Sequence, residues 1–271
     1  MRAEMDSEAP IGVFDSGVGG ISVLEHLTKS FPSENFVYLG DTARLPYGTK
    51  SSQTVRMYAE QCLEHLHLRG VKSFVIACNT ASSAYLEKAY KTKPVYNMIE
   101  CGSLEIIQKT SGRKTLLLAT KTTIQSGAYS NCLKNLNSSV ELILLAAPLF
   151  VPLVEEGVLS GPLVEEVLRH TLKPVENLIA QKQLDVCLLA CTHFPFLREE
   201  IEKYLGSGIE VTDSSSQLEK LLRQDKKNHI QSLRRSSSAG SLQFILTDSS
   251  DHFQKFILQR WPDRKIDFTH I

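Results

Sequence analysis

The sequence predicts an α/β protein built on parallel sheets, and three observations predict it. Short apolar runs alternate with longer stretches of helical periodicity, the pattern of strands joined by covering helices. The runs are continuous rather than alternating, as strands buried on both faces require. Two of them also echo one another. Phe74-Val-Ile-Ala-Cys-Asn-Thr80 and Cys187-Leu-Leu-Ala-Cys-Thr-His193 both pass from an apolar strand through Ala-Cys into polar groups. A weaker echo pairs Ile11-Gly-Val-Phe-Asp-Ser16 with Thr115-Leu-Leu-Leu-Ala-Thr120. Each half therefore places polar groups at strand C-terminal ends, where open α/β sheets bind ligands. Two such halves facing one another make a cleft.

In chain order the expected strands are Ile11–Phe14, Phe36–Leu39, Phe74–Ala77, Val95–Met98, Thr115–Ala119, Glu141–Ala146, Val186–Ala190, Glu210–Thr212 and Leu242–Leu246. After the first, Asp15-Ser-Gly-Val-Gly-Gly20 allows a tight turn, and a helix is expected to begin near Ile21. The turn is not GxGxxG and has no P-loop lysine, which argues against a nucleotide. Val55, Ala59, Cys62 and Leu66 share one face of a helix. Pro162, just after Gly161, suits the first turn of a helix running towards Gln181, with a break at Pro174. The polar stretch Asp225–Ser241 reads as a surface loop or a frayed helix end.

Composition narrows the partners. Lys plus Arg and Asp plus Glu are 30 each, so no net field draws the chain to nucleic acid or an anionic membrane. The longest apolar run, Leu142 to Val154, holds Pro148 and Pro152 and is too short to span a bilayer. Met1–Pro10 is polar and acidic, unlike a secretion signal. The six cysteines are scattered with no CxxC pair, against both a disulfide framework and a structural metal site. A reduced, cytoplasmic protein is the expectation.

Two cysteines stand out by position. Cys78 and Cys191 each follow a buried strand. A free cysteine often packs as no more than a small hydrophobe, but a helix starting just beyond Cys78 would stabilise a thiolate and lower its pKa below about 8.5. His193, two residues past Cys191, could hold the thiol proton or be a structural loop residue. Asp15 could hold an ammonium group, support an acid/base residue, or cap the helix that follows. Gly40-Asp-Thr-Ala-Arg-Leu-Pro-Tyr-Gly48 reads as an exposed loop offering Tyr47 and the Gly48 backbone. Cys78, Cys191, His193 and Asp15 are also competent zinc ligands, a rival disfavoured by their spacing.

Four segments together resemble the signature set of the bacterial glutamate racemases, in family order and spacing: Ile11–Gly20, Gly40–Gly48, Ala77–Ala81 and Ala190–Pro195. Ala119–Gly127 and Pro148–Gly157 extend the likeness, which runs from Ile11 to Asp213 and fades beyond. The resemblance implies two similar parallel-sheet α/β domains with the active site in the cleft between them: residues 1–99 plus 213–271, and an inserted domain, 100–212. It implies Cys78 and Cys191 as acid/base residues on opposite faces of the substrate carbon, Cys78 exchanging the proton of D-glutamate and Cys191 that of L-glutamate. Asp15 would assist Cys78, and His193 would assist Cys191. Asp15, Ser16, Tyr47, Gly48, Asn79, Thr80, Thr192 and His193 would bind the amino and carboxylate groups, with Thr120, Thr123 and Glu155 near the cleft. No pyridoxal phosphate, other cofactor or metal is implied. A supply of D-glutamate for peptidoglycan is, a homodimer is the expectation although oligomeric state differs between family members, and a relative acting on aspartate is the near alternative. Departures fall outside the proposed acid/base residues: Ala147 stands where many members have cysteine, Cys101 where proline is usual, and Ala119 where glycine is usual. Asp213-Ser-Ser matches the family's acidic-Ser-Ala segment only loosely.

Two thiols suit inversion of a carbon centre. A proton must leave one face and another return to the opposite face, and two groups on opposite sides need no motion of substrate or base. Thiols have an unperturbed pKa near 8.5, tunable so that one is thiolate while the other is thiol. Without a Schiff base, fixed donors such as Asn79, Thr80, Thr192 and nearby backbone N–H groups must stabilise the carbanion.

Overall fold

The structure, a computed structural model, describes residues 8–225, 238–248, 251–262 and 264–271. Most of the Asp225–Ser241 stretch and the start of Met1–Pro10 lie outside the described residues. Two sheets organise the chain. The first has the order β11-β10-β2-β1-β3-β5-β4 and the second β7-β6-β8-β9. In the first sheet the strands are β1 (Ile11–Asp15), β2 (Phe36–Gly40), β3 (Ser73–Ile76), β4 (Ala89–Tyr90), β5 (Lys93–Asn97), β10 (Leu242–Leu246) and β11 (Ile266–His270). The second holds β6 (Lys114–Ala119), β7 (Leu142–Ala146), β8 (Leu184–Ala190) and β9 (Glu210–Thr212). Every pairing is parallel except β4 with β5. The runs β2-β1-β3-β5 and β7-β6-β8-β9 share one order, each the second, first, third and fourth principal strand of its lobe. The Ala-Cys echo thus comes from equivalent strands, β3 and β8.

The chain crosses to the second sheet through the helix Met98–Lys109 and returns through Ser215–Asp225 to add β10 and β11 beside β2. Both faces of each sheet are covered. Ile11, Val13, Tyr38 and Phe244 pack on one face of the first sheet, and Phe14, Leu39 and Ile76 on the other. Leu116, Leu118 and Leu189 pack on one face of the second, and Leu117, Ala119 and Leu188 on the other. The two-residue alternation of sides within wholly apolar strands explains the unbroken runs in the sequence.

The helix Ser52–Leu68 buries Val55, Ala59, Cys62 and Leu66, as their spacing predicts. The segment from Pro162 is helical to Leu172, tightens to a 3₁₀ turn at Lys173–Val175 around Pro174, and resumes over Glu176–Ala180. Two strands are additions to the sequence reading. β4 is a two-residue antiparallel extension. β11 lies at a sheet edge, half exposed, so its Ile-Asp-Phe-Thr-His pattern alternates instead of forming an apolar run. Among the described residues no helix is long and apolar enough to cross a membrane.

Candidate active site

The register fixes which residues meet. Asp15 ends β1 opposite Gly40 of β2, and Phe14 is level with Ile76 of β3. In the other lobe Ala119 of β6 is level with Ala190 of β8. One residue or two beyond these ends come Ser16, Cys78, Thr120 and Cys191, so both lobes aim their strand C-termini at one interlobe cavity. Ser16, Tyr47, Gly48, Cys78, Asn79, Thr80, Thr120, Cys191, Thr192 and His193 line it, with Leu45, Pro46 and Val151. Its volume is about 20 Å³, room for little more than a water.

Cys78 follows β3 and caps the helix Asn79–Ala84, its Sγ accepting from Ala81 N at 3.5 Å. Ser16 Oγ lies 3.5 Å from the same sulfur. The helix was expected to hold this thiol below its ordinary range, and the structure reverses that expectation. Burial pushes Cys78 up to about 12, the Asp15 carboxylate adds to the rise, and the Ser16 and Ala81 bonds only partly oppose it. A two-turn helix with one long N–H···S bond does not offset full desolvation.

Asp15 is not the N-cap residue of the next helix, Ile21–Ser30, although its carboxylate accepts from the backbone of the cap residue, Gly20. The buried carboxylate also accepts from Gly17 N at 2.9 Å and from Thr192 Oγ1, across the cleft, at 3.0 Å. Burial raises its pKa, opposed by the charge of His193 and by these hydrogen bonds.

On the other side, Cys191 Sγ lies 3.8 Å from His193 Nδ1, and His193 Nε2 bonds Glu155 Oε1. Burial alone would depress the imidazole, but the bonds to Cys191 and Glu155 outweigh it and raise His193 to about 10. The lobes touch closely here. A Cβ on Gly19 would lie 2.5 Å from both His193 Nδ1 and Thr192 Oγ1, so only glycine fits. Ser22 Oγ donates to the Thr192 carbonyl at 3.0 Å.

The rest of the lining also bridges the lobes. Thr80 Oγ1 is 2.9 Å from Thr120 Oγ1 and 3.3 Å from Thr123 Oγ1, and Thr122 Oγ1 donates to the Gly48 carbonyl at 2.8 Å. Gly48 packs so closely on Thr120 that a Cβ would sit 2.8 Å away. The Gly40–Gly48 loop reads as exposed in sequence, yet Tyr47 is 1% exposed and its hydroxyl bonds Asp41. Asp41, itself fully buried, also accepts from Arg44 Nε at 2.9 Å and Thr247 Oγ1 at 3.0 Å. The loop is thereby a wall of the cavity pinned from beneath. Tyr47 presents its ring there, with its hydroxyl already engaged.

Two supporting residues were not singled out in the sequence. Asp41 lies within the Gly40–Gly48 segment, and its complete burial leaves no mark in the local sequence. Tyr129 donates to Asn79 Oδ1 at 2.6 Å from the opposite lobe, a contact that no local spacing announces. Thr123 and Glu155 stand just behind the lining, held to Thr120 and His193 respectively. Among the described residues no three His, Cys, Asp or Glu side chains are grouped to hold a metal ion.

The fold and site define a class: two-lobed α/β proteins with like topology in both halves and a cysteine at an equivalent strand end in each. Comparison with known proteins then places the chain within it. The family model described as Asp/Glu/Hydantoin racemase matches residues 11–217, and the chain belongs to that family of isomerases. Glutamate racemase of Aquifex aeolicus is 39% identical over 249 residues, covering 91% of this chain and 92% of the relative. Two crystal structures cover 98% of this chain and 98% of their own. Glutamate racemase from Thermus thermophilus, in complex with β-chloro-D-alanine, has a TM-score of 0.83 at 35% identity. Glutamate racemase from Francisella tularensis, in complex with D-glutamate, has a TM-score of 0.86 at 30% identity.

Proposed function

We propose that this chain is a glutamate racemase that interconverts L- and D-glutamate by proton transfer between two thiols, without a cofactor. The observation that carries the reading is that Cys78 and Cys191, from equivalent strand ends of opposite lobes, line one cavity. From L-glutamate, the Cys191 thiolate takes the α-proton, and the Cys78 thiol delivers its own to the other face. The next turnover begins with the reverse charge state or after proton exchange. The electrostatics suit that division. Cys78, pushed up to about 12, rests as a thiol. His193, held protonated at neutral pH, is placed to exchange a proton with Cys191. Asn79 and Thr80 donate to the carboxylate as it gathers carbanion charge, with Thr192 lining the same cleft while its hydroxyl holds Asp15, and a dry cleft strengthens each contact. Ser16, Asp15 and the Tyr47–Gly48 wall bind and orient the amino acid.

The same reading divides the chain into a first domain of residues 1–99 plus 213–271 and a second of 100–212, with closure between them. It places the enzyme in the cytoplasm as a homodimer, supplying D-glutamate for peptidoglycan. The test is incubation with L-glutamate in D₂O with no added cofactor. Racemisation accompanied by deuterium at the α-carbon is expected, with aspartate turned over far more slowly. Retention of α-protium, or activity appearing only with pyridoxal phosphate, contradicts the reading.

A further inference from the structure

Asn79 is the lining residue whose orientation matters most, because an amide can face the cavity as donor or as acceptor. Its orientation is settled by the opposite lobe. Tyr129, 2% exposed on the helix Ala128–Asn135, places its hydroxyl 2.6 Å from Asn79 Oδ1. That length fits O–H···O and is short for an amide N–H donating to a phenol. Burial holds the phenol well above its ordinary range, so it remains a donor. The Met98 carbonyl is farther, at 3.4 Å, and the Ser214 hydroxyl, itself 3.4 Å from that carbonyl, also bonds the phenol and partly opposes its rise. Among the described residues none accepts from Asn79 Nδ2. Space for the tyrosine is kept by Gly102, whose Cβ would lie 2.7 Å from the Tyr129 hydroxyl.

We propose that Tyr129 is a positioning residue: by claiming Asn79 Oδ1 it turns Asn79 Nδ2 into the cavity as the donor that meets the substrate carboxylate. Because Tyr129 and Asn79 belong to different lobes, the donor is set only when the lobes are together. The orienting bond and the closed cleft therefore form at once. This inference rests on the glutamate racemase reading.

The test is a double-mutant cycle on glutamate racemisation, with wild-type turnover measured first, so that an inactive wild type marks failure of the racemase reading rather than of this one. Tyr129→Phe keeps the ring and should lower kcat/KM about tenfold, the scale of one lost buried hydrogen bond. Asn79→Ala should lose at least as much. If Tyr129 acts through Asn79, the double variant should match Asn79→Ala within about twofold. Losses that multiply, or wild-type kinetics in Tyr129→Phe, overturn the proposal. Should Tyr129→Phe not fold, Gly102→Ala replaces it. Alanine favours the helix at that position, and its Cβ displaces the hydroxyl without touching the lining. The same loss and the same non-additivity with Asn79→Ala are expected, and full activity overturns the proposal.

Discussion

At the residue scale the site turns on where protons rest. His193 is raised from 6.5 to about 10 in the folded protein, so folding tightens its hold on a proton. Its stabilising contribution is complete below pH 6.5, declines above it, and is lost as pH rises through 10. Glu155→Gln weakens the bond that holds the charge, so the fall in Tm between pH 6.5 and 10 should be shallower than in wild type. An unchanged slope contradicts this account of His193. Cys78 is shifted in the same direction, which is why the comparison between variant and wild type, rather than the bare alkaline decline, isolates the histidine. Residues at strand ends were legible in the sequence because an apolar run stopping at Ala-Cys marks the exit from a buried sheet. The charge state of Cys78 was not, since burial depends on the other lobe closing over it. Tyr129 was illegible for a related reason: its partner lies in the opposite lobe, and no spacing rule spans that gap.

At the element scale, the glycine turn after β1 and the Thr192–His193 turn after β8 interlock. Close approach, not backbone strain, demands glycine at position 19. A methyl there meets both His193 and Thr192 at 2.5 Å, and displacement of these groups by even 1 Å costs about 100-fold in rate. Gly19→Ala should therefore lower kcat/KM for glutamate about 100-fold, with far-UV circular dichroism retained. Wild-type kinetics would show that the two turns are looser than the contact distances imply. The strands that build these turns were read from sequence because they are continuous apolar runs. β11 escaped because an edge strand with one wet face carries polar residues in alternation, and β4 because two residues make no pattern. The Gly40–Gly48 loop looked exposed because Asp, Thr, Arg and Tyr dominate it. Its polar atoms are instead spent on the buried Asp41, which ties the loop to β10 through Thr247.

At the scale of the whole molecule, the lobes meet through the Tyr129–Asn79 bond, the Phe196–Phe256 ring contact and several further hydrogen bonds. Thr192 reaches Asp15, Ser22 reaches the Thr192 carbonyl, Thr122 reaches Gly48, and Thr80 meets Thr120. Each neutral bond is worth about 1 kcal/mol net and the one to the Asp15 carboxylate about 2 kcal/mol, so the proposed function asks for parting against contacts of modest individual strength. A cavity of about 20 Å³ requires such parting for an amino acid to enter. Two crossings, through Met98–Lys109 and Ser215–Asp225, join the lobes. The duplicated strand order then has a structural consequence: equivalent ends brought face to face place Cys78 and Cys191 in the lining of one cavity. That convergence is tested most directly by Cys78→Ala and Cys191→Ala, each assayed for racemisation from both L- and D-glutamate. Loss of turnover in both directions in each variant, by about 1,000-fold or more on the scale of general acid–base catalysis by a positioned group, is the predicted result. Full activity in either variant would contradict a reaction shared between two sulfurs.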